Sequence, residues 1–479
     1  MAPTSQSLNE EKHRSANYHP SIWDPTAIQS FTAPYTYELY ATQLEDMEQT
    51  VSKLLASTND TAALLKLIDS MKRLGVAYHF QEQIQQPLNQ LNLDLNLVSN
   101  NLSTVALHFR LLREDCYPIT EDMFGKFKGG DGRFMGSLCG DVEGLLSLNE
   151  ASFMAIQGEK ILEEAKGCSS ENLKNVIGKL EKVKAKQVQR SLEVPLYWSM
   201  ERIEARNFID SYAMDDSNNS VLLDLGKLDY NLIQPIYQQE LKQLAEWWRE
   251  LNFKEKLSFS RGRLMEIYFW ATGLRFDPQY AKCRICFTKS AFLATVVDDI
   301  YDIYGSLEEL ECFTKAVTGW DVKAVQELPK YMRVMFSAIS DFTNELAQQT
   351  LKDHGLDVLP YIKEQLTSRK PDGFMGGQTP TFDEYIKNAW ISIGSLGGLV
   401  LLCFVEADSI AEMERGDIPK AVQCYMIEKG VSEEKARNHV KELISNSWKK
   451  INEEILDNRF PRVIMNLSKN MARTAQCMY

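Results

Sequence analysis

The apolar residues of this chain recur three and four positions apart along most of its length, and this period constrains the fold more than any other feature. In the segment "NDTAALLKLIDSMKRLG", one helical stripe is formed by Leu64, Leu67, Ile68, Met71 and Leu74. Asn59 or Asp60 is placed to cap the start of this helix, and Gly75 to end it. No run of alternating strands with hairpin turns is evident, so the sequence predicts an all-α protein.

Helix starts and breaks carry their own signals. Capping boxes are predicted where Ser306 precedes Glu309 and where Thr381 precedes Glu384. The glycine-dense stretch "KFKGGDGRFMG" (126–136) lacks the G-K-[ST] ending of a phosphate loop and follows no strand. We therefore expect it to be a loop between helices.

Length and composition predict an ordinary globular protein with two domains. At 479 residues the chain exceeds one typical domain, and 44% hydrophobic with 25% charged residues is not a disordered composition. A break in pattern around 193–220 places the boundary near residue 200, giving domains 1–200 and 201–479. The net charge of −13 argues against a nucleic-acid surface.

The sequence offers no membrane span and no visible targeting segment. Its longest apolar run, around 396–405, is too short to cross a bilayer. The start has neither a secretory h-region nor a Ser- and Arg-rich leader, so a cytoplasmic location is expected, with the plastid as the alternative if the N-terminus is incomplete. The nine cysteines are scattered, and the C-x-x-C pair of Cys283 and Cys286 lacks the partners of a zinc or redox site. We interpret both as helix residues.

Three carboxylates follow directly on an apolar run in "AFLATVVDDIYDIYG" (291–305). On a helix Asp298 and Asp302 share a face, whereas Asp299 points about 100° away. Two like charges on one face repel unless a cation lies between them, and oxygen ligands favour Mg²⁺ or Mn²⁺. An exposed acidic helix end is the simpler alternative, but "FLATVV" indicates a buried helix, which favours a metal ion with a phosphate-bearing substrate.

Two arginines lie upstream in "LSFSRGRLMEIYFWATG". Arg261 and Arg263 are two residues apart, a spacing with which a loop wraps around an anion, and the planar guanidinium suits phosphate oxygens. Tyr268, Phe269 and Trp270 follow at once, and aromatic faces attract cations. Ordinary surface charge is the alternative for the arginines, but beside a metal-binding helix a diphosphate site is the better interpretation.

These motifs together resemble the plant class I terpene synthases, in particular the angiosperm subfamily rich in monoterpene synthases. The resemblance rests on "NYHPSIW" near the start, "RGR" as R-x-R, "DDIYD" as D-D-x-x-D and "RGDIPKAVQCYM", in this order along the chain. "EARNFIDSY", "KLDYNLIQPIYQQEL" and "PTFDEYIKNAWISI" extend it over nearly the whole chain. It implies an N-terminal α-barrel and a C-terminal α-bundle that holds three Mg²⁺ ions and releases diphosphate from an allylic prenyl diphosphate.

The resemblance also implies roles for individual residues. Asp298 and Asp302 match metal ligands with Asp299 behind them, and Arg261 and Arg263 match diphosphate-binding arginines. Trp270 matches an aromatic residue of the pocket wall. A tandem arginine that many members carry before Trp23, and that is associated with forming cyclic monoterpenes, is here His13-Arg14, so its first arginine is absent.

The second metal motif of the family, [N/D]-D-x-x-[S/T]-x-x-x-E, is altered. Counting back from "RGD", Glu412 occupies the glutamate position, Asp408 the Ser/Thr position, and Phe404-Val405 the opening pair. The sequence on either side of this motif resembles two family segments joined directly, without the helix that separates them in the family. Asp408 and Glu412 remain an i, i+4 pair that either binds a metal ion or lies on a solvated helix face.

Two further departures concern the second half. The segment "KEQLTSRKPDGFMGG" lacks an acidic, Trp-containing helix, and the chain stops at "NMARTAQCMY", before the final helices of the family.

Two hypotheses about function follow from the sequence. One is an active, monomeric Mg²⁺-dependent terpene synthase using farnesyl diphosphate in the cytosol, with geranyl diphosphate as the close alternative. The other is an impaired paralogue or mis-spliced gene product that only binds prenyl diphosphate. A chain-elongating prenyltransferase is disfavoured, because it normally carries two D-D-x-x-D motifs.

Overall fold

A computed structural model describes residues 18–19, 21–23, 25–93, 101–355, 357–360, 381–382, 421–457 and 462–478. The α-helices in these ranges, numbered in chain order, are α1 (Pro25–Gln29), α2 (Tyr37–Ser57), α3 (Thr61–Arg73), α4 (Gln81–Leu93), α5 (Leu102–Glu114), α6 (Val142–Ser152), α7 (Lys160–Val176), α8 (Lys182–Glu193), α9 (Glu201–Ala213), α10 (Ser220–Leu251), α11 (Phe253–Lys256), α12 (Leu264–Leu274), α13 (Ala281–Asp299), α14 (Leu307–Gly319), α15 (Val322–Gln326), α16 (Lys330–His354), α17 (Ala421–Lys429), α18 (Glu433–Leu456) and α19 (Arg462–Met478).

The prediction of an all-α fold is confirmed. Within the described ranges the only extended pairing is an isolated antiparallel bridge between Lys128 and Phe134, inside the glycine-dense stretch that we expected to be a loop. None of the helices in the described part of the chain is both long enough and apolar enough to cross a membrane.

Helix α3 shows how local sequence sets the elements. The Asp60 carboxylate accepts a hydrogen bond from the Ala63 amide at 2.8 Å, and Gly75 follows the helix with a φ of +76°, as predicted. The buried residues of the helix are Leu65, Ile68 and Met71. The buried face is therefore rotated from the predicted stripe, which had left out Leu65, because tertiary packing chooses among neighbouring apolar positions.

The chain divides into two compact units. The N-terminal unit comprises Ala33–Pro235 with Leu443–Met478, and the site unit comprises Met1–Thr32, Ile236–Glu442 and Tyr479. Each unit is thus discontinuous along the chain. The sequence boundary near residue 200 stays a prediction.

In the N-terminal unit, helix α6 packs against α5, α7 and α8 and buries polar as well as apolar residues. Asn149 donates to the Ser191 hydroxyl at 3.0 Å. The same hydroxyl bonds to one carboxylate oxygen of Glu150, and the Leu196 amide donates to the other at 2.8 Å. Burial raises the pKa of Glu150 to about 7, although these hydrogen bonds and the charges of two arginines oppose the rise.

We expect Glu150 to make the stability of the protein depend on pH. The folded state holds the Glu150 proton more tightly than the unfolded chain, where the pKa is near 4.5. Its stabilising contribution is thus complete below pH 4.5 and is lost as the pH rises through 7. In Glu150→Gln, which imitates the protonated acid, the free energy of unfolding should exceed that of wild type by about 3 kcal/mol at pH 8 and match it near pH 4.5.

Urea unfolding at several pH values between 4.5 and 8 measures this difference. Glu171→Gln, an exposed position on α7, is the matched control and should leave the pH dependence unchanged. Parallel curves for wild type and Glu150→Gln would contradict the prediction.

In the site unit, helix α13 packs against α12 and α16. Its inner face is formed by Phe292, Leu293 and Val296, and Ile300 continues it. The ring of Phe292 meets three other aromatic rings, those of Trp247, Trp248 and Phe253, at centroid distances of 5.7–6.2 Å. This apolar contact anchors α13 and thereby fixes the position of the carboxylates at its end.

Candidate functional site

The end of α13 separates its three carboxylates as helical geometry predicts. Asp298 and Asp302 are exposed, whereas Asp299 is 1% exposed. In the apolar run before them Phe292, Leu293 and Val296 are buried, so these acids emerge at the edge of a packed core. The candidate site is thus two exposed carboxylates four residues apart with a third buried behind them.

Asp302 lies in a single π-helical turn, Ile300–Tyr304, that continues α13. The Gly305 amide donates to the Ile300 carbonyl at 2.7 Å and closes this turn. A Cβ atom at Gly305 would lie 2.9 Å from that carbonyl oxygen and 2.8 Å from the Leu310 side chain. π-helical turns are rare in proteins, and those that occur often lie at functional sites.

Helix α14 starts immediately after this turn, with the predicted capping box. The Ser306 hydroxyl accepts from the Glu309 amide, and the Glu309 carboxylate accepts from the Ser306 amide at 3.0 Å. The second predicted box, Thr381 with Glu384, falls partly outside the described residues, because Glu384 is not among them.

Asp299 is paired with Arg261, one of the two predicted anion-binding arginines. The Arg261 amide donates to one carboxylate oxygen at 2.8 Å, and its guanidinium Nε lies 2.7 Å from the other. Burial raises the pKa of the Asp299 carboxyl, and Arg261 together with a hydrogen bond from Tyr18 opposes that rise. The pair ties the Arg261 loop to the last turn of α13.

An aromatic cluster links the same loop to the π-helical turn. Phe259 stacks on Tyr304 with ring centroids 3.8 Å apart and an interplanar angle of 7°. Tyr331 stands at right angles to both rings, at 5.9 and 5.0 Å, and its hydroxyl donates to Glu309 at 3.0 Å. The positions of Asp302 and Arg261 are therefore coupled on two sides, by this cluster and by Asp299.

The predicted aromatic cluster is divided between the core and its edge. Tyr268 and Trp270 are 3% and 8% exposed, whereas Phe269 is half-buried. The Tyr268 hydroxyl donates to Glu240 at 2.9 Å, and Arg284 holds the same carboxylate in a bidentate pair at 2.9 and 2.6 Å. Tyr268 therefore belongs to a buried polar network rather than to an open pocket wall.

Sequence reasoning missed this network and the hydrogen bond between Tyr18 and Asp299. Glu240 and Arg284 lie 44 residues apart, and nothing in their flanking sequence identifies them as partners. A charged residue inside an otherwise apolar helical stripe was the available signal, because such a residue needs a buried partner. The thiols of Cys283 and Cys286 are free and lie within α13, as predicted.

Hard oxygen ligands at the end of α13 fit a magnesium ion. Mg²⁺ is typically bound through one or two carboxylates with substrate phosphates completing its coordination, and the exposed pair Asp298 and Asp302 offers such ligands. No group of three or more His, Cys, Asp or Glu side chains suited to a metal ion occurs among the residues that the structure describes. Asp408 and Glu412, the other predicted metal ligands, lie outside the described residues.

Family models match most of the chain. The terpene synthase N-terminal domain matches residues 22–192, and the terpene synthase family metal binding domain matches residues 249–411. A third model, the terpene synthase family 2 C-terminal metal binding domain, matches residues 408–450.

Curated plant proteins are similar over the whole chain. A probable terpene synthase 9 of Ricinus communis is 45% identical over 520 aligned positions, covering 100% of this chain and 88% of the relative. A chloroplastic trans-ocimene synthase of Litsea cubeba is 42% identical, covering 97% and 87%. The hypothesis of a catalytically impaired or mis-spliced product is not favoured by these relatives.

Solved structures agree with the sequence relatives. A crystal structure of limonene synthase with 2-fluorolinalyl diphosphate superposes with a TM-score of 0.92 at 34% identity, covering 98% of this chain and 95% of that one. Isoprene synthase of grey poplar, in complex with three Mg²⁺ ions and dimethylallyl-S-thiolodiphosphate, superposes with a TM-score of 0.85 at 35% identity, covering 96% and 94%. With the metal-binding family model, this complex confirms the predicted Mg²⁺ cofactor.

The expected cytoplasmic location is wrong. Five of the similar plant proteins are named as chloroplastic, among them the trans-ocimene synthase and a geraniol synthase, and they point to the plastid. The expectation depended on the composition of the first residues, which by itself does not determine the compartment.

Proposed function

Because the chain belongs to the terpene synthase family, whose members are lyases, we propose that Asp298 and Asp302 serve a prenyl diphosphate-ionising reaction as metal ligands. The observation that carries this proposal is the exposure of these two carboxylates beside a buried Asp299 that holds Arg261. Bound Mg²⁺ would supply Lewis-acid stabilisation of the departing diphosphate.

The remaining proposed roles are diphosphate binding and the lining of the apolar pocket. Arg261 and Arg263 bind diphosphate oxygens, for which a guanidinium offers paired N–H donors. Trp270 contributes an aromatic face to the apolar pocket in which the carbocation rearranges, shielded from water. Asp408 and Glu412 are included as further metal ligands on their sequence spacing alone. These roles place the chemistry in the predicted catalytic domain, residues 201–479.

We propose geranyl diphosphate as the principal substrate and farnesyl diphosphate as the alternative. Similar proteins are named for ten-carbon products, namely ocimene, geraniol and myrcene, and several are chloroplastic. The sequence-based preference for farnesyl diphosphate depended on a cytosolic location. Because that location is wrong, the reason for preferring farnesyl diphosphate no longer holds. We further propose a monomer, for which light scattering should give a mass near 54.8 kDa.

The proposal is tested by incubating purified protein with Mg²⁺ and either geranyl or farnesyl diphosphate. Extracted hydrocarbons and alcohols are identified by gas chromatography with mass spectrometry, and a parallel reaction with excess chelator is the control. We expect a chelator-sensitive ten-carbon product. The absence of product from both substrates would refute the function.

The π-helical turn provides a further test that leaves every proposed ligand in place. Gly305→Ala puts a methyl group 2.8–2.9 Å from the Leu310 side chain and the Ile300 carbonyl, which forces the turn carrying Asp302 to shift. We expect kcat/KM to fall about 10- to 100-fold, because small displacements of catalytic groups cost that much. Gly125→Ala, where nothing lies within 4 Å of the added Cβ, is the matched control. Equal activity of the two variants would contradict the prediction.

A further inference from the structure

Two consecutive residues near the start of the chain contact both candidate diphosphate-binding arginines. The Arg263 guanidinium donates to the His19 carbonyl at 3.1 Å, across 244 positions of sequence. The Arg261 guanidinium lies over the Tyr18 ring, 4.9 Å from its centroid. The Tyr18 hydroxyl also hydrogen-bonds to the Asp299 carboxylate. These contacts all lie within the site unit.

The contacts of Tyr18 converge on one buried anion and its cation. Asp299 is 1% exposed; its carboxylate accepts a hydrogen bond from the Arg261 amide, forms an ion pair with the Arg261 guanidinium and contacts the Tyr18 hydroxyl. A buried carboxylate that loses one of its few stabilising contacts is less well compensated for its burial, and its remaining partners shift. The aromatic face simultaneously restricts the plane in which the guanidinium lies. Tyr18 therefore acts on Arg261 twice, through its ring and through Asp299.

We propose that Tyr18 is a positioning residue that orients Arg261 for diphosphate, through stacking on the guanidinium and a hydrogen bond to Asp299. This inference rests on the proposed function, because it takes Arg261 as a diphosphate ligand. It goes beyond the proposed function by assigning a role to Tyr18, a residue 243 positions from Arg261 in the "NYHPSIW" stretch, for which the sequence predicted no role. A simple tether for the N-terminal segment is the competing role.

Binding of inorganic pyrophosphate in the presence of Mg²⁺ tests the role without requiring turnover. Isothermal titration calorimetry compares wild type with Tyr18→Phe, which keeps the ring, and with Tyr18→Ala, which removes ring and hydroxyl. A hydrogen bond to a charged group contributes about tenfold or more, and in Tyr18→Phe only part of that loss reaches the ligand, because it acts through Asp299 and Arg261. We therefore expect affinity to fall about threefold in Tyr18→Phe and about tenfold or more in Tyr18→Ala. With geranyl diphosphate, KM should rise by similar factors while kcat changes less.

Two controls separate positioning from tethering. Ile22→Ala alters an 85% exposed residue of the same segment, and Tyr37→Ala repeats the substitution at a 58% exposed tyrosine. Both should bind pyrophosphate as wild type does. In an Arg261→Lys background, which keeps the positive charge but not the planar fork, Tyr18→Ala should weaken affinity by less than about twofold, because the group it orients has been removed.

The inference is overturned if Tyr18→Ala binds pyrophosphate as wild type does, or if its effect is equally large in the Arg261→Lys background. Loss of affinity in Ile22→Ala as large as in Tyr18→Ala would likewise show a tether instead. Wild-type protein that binds pyrophosphate but forms no terpene refutes the proposed function alone, whereas wild-type protein that binds none refutes the positioning role as well.

Discussion

Asp298→Asn is expected to lower kcat/KM for the prenyl diphosphate about 100- to 1000-fold, because it removes a charged ligand from a metal ion that contributes several kcal/mol to catalysis. The side chain is exposed, so its replacement leaves the apolar face of α13 unchanged and the fold should be retained. The loss should be partly recovered at high Mg²⁺ concentration, because the remaining ligands bind the ion more weakly rather than not at all.

Steady-state kinetics across a range of Mg²⁺ concentrations measures this effect. Asp216→Asn makes the same change on an exposed loop of the N-terminal unit and should leave kcat/KM and the Mg²⁺ dependence as in wild type. If Asp298→Asn kept full activity at limiting Mg²⁺, the carboxylate would be no more than part of an acidic helix end.

The largest expected effect on stability concerns the buried network of Glu240, Arg284 and Tyr268. Arg284 is 1% exposed and also donates to the carbonyls of Arg275 and Asp277 at 2.9 and 2.6 Å. Arg284 and the Tyr268 hydroxyl both donate to the Glu240 carboxylate. In Arg284→Met this carboxylate stays buried, and of these two donors only the Tyr268 hydroxyl remains. We expect the free energy of unfolding to fall by about 3–5 kcal/mol, the usual cost of breaking a buried ion pair on one side.

Lys282→Met is a matched control on the same helix. Lys282 is 79% exposed in its side chain and pairs with Asp353 at 2.8 Å on the surface, so its loss should change the free energy of unfolding by less than about 1 kcal/mol. Urea denaturation followed by circular dichroism compares the two variants. Similar unfolding curves for Arg284→Met and Lys282→Met would show that burial of the ion pair does not matter.

The local elements near the site could be predicted because their causes lie within a few residues. The Ser306 and Glu309 capping box depends on neighbouring backbone groups, and it forms as predicted. The contrast between exposed Asp298 and buried Asp299 follows from helical rotation, and Asp302 is exposed as predicted. The π-helical turn that carries Asp302 was not predicted, because it depends on the close approach of Gly305 to Ile300 and Leu310.

Contacts between distant segments could not be predicted in the same way. Tyr18 meets Arg261 and Asp299, and Glu240 meets Arg284, only after helices far apart in sequence have packed. A single sequence contains the residue types of such pairs but does not indicate which residues come into contact. The aromatic run at 268–270 illustrates this, since Tyr268 lies in a buried polar network, Phe269 is half-buried and Trp270 is buried.

The sequence by itself determined the helical class, the caps and the order of the Arg261, Arg263, Asp298 and Asp302 motifs, because helix periodicity and motif spacing are properties of neighbouring residues. The tertiary structure decided that Asp299 is buried against Arg261 and that an N-terminal tyrosine reaches the same pair. The physical reason is that a buried charge takes whichever partner packing brings within hydrogen-bond distance, and packing is set by the whole core.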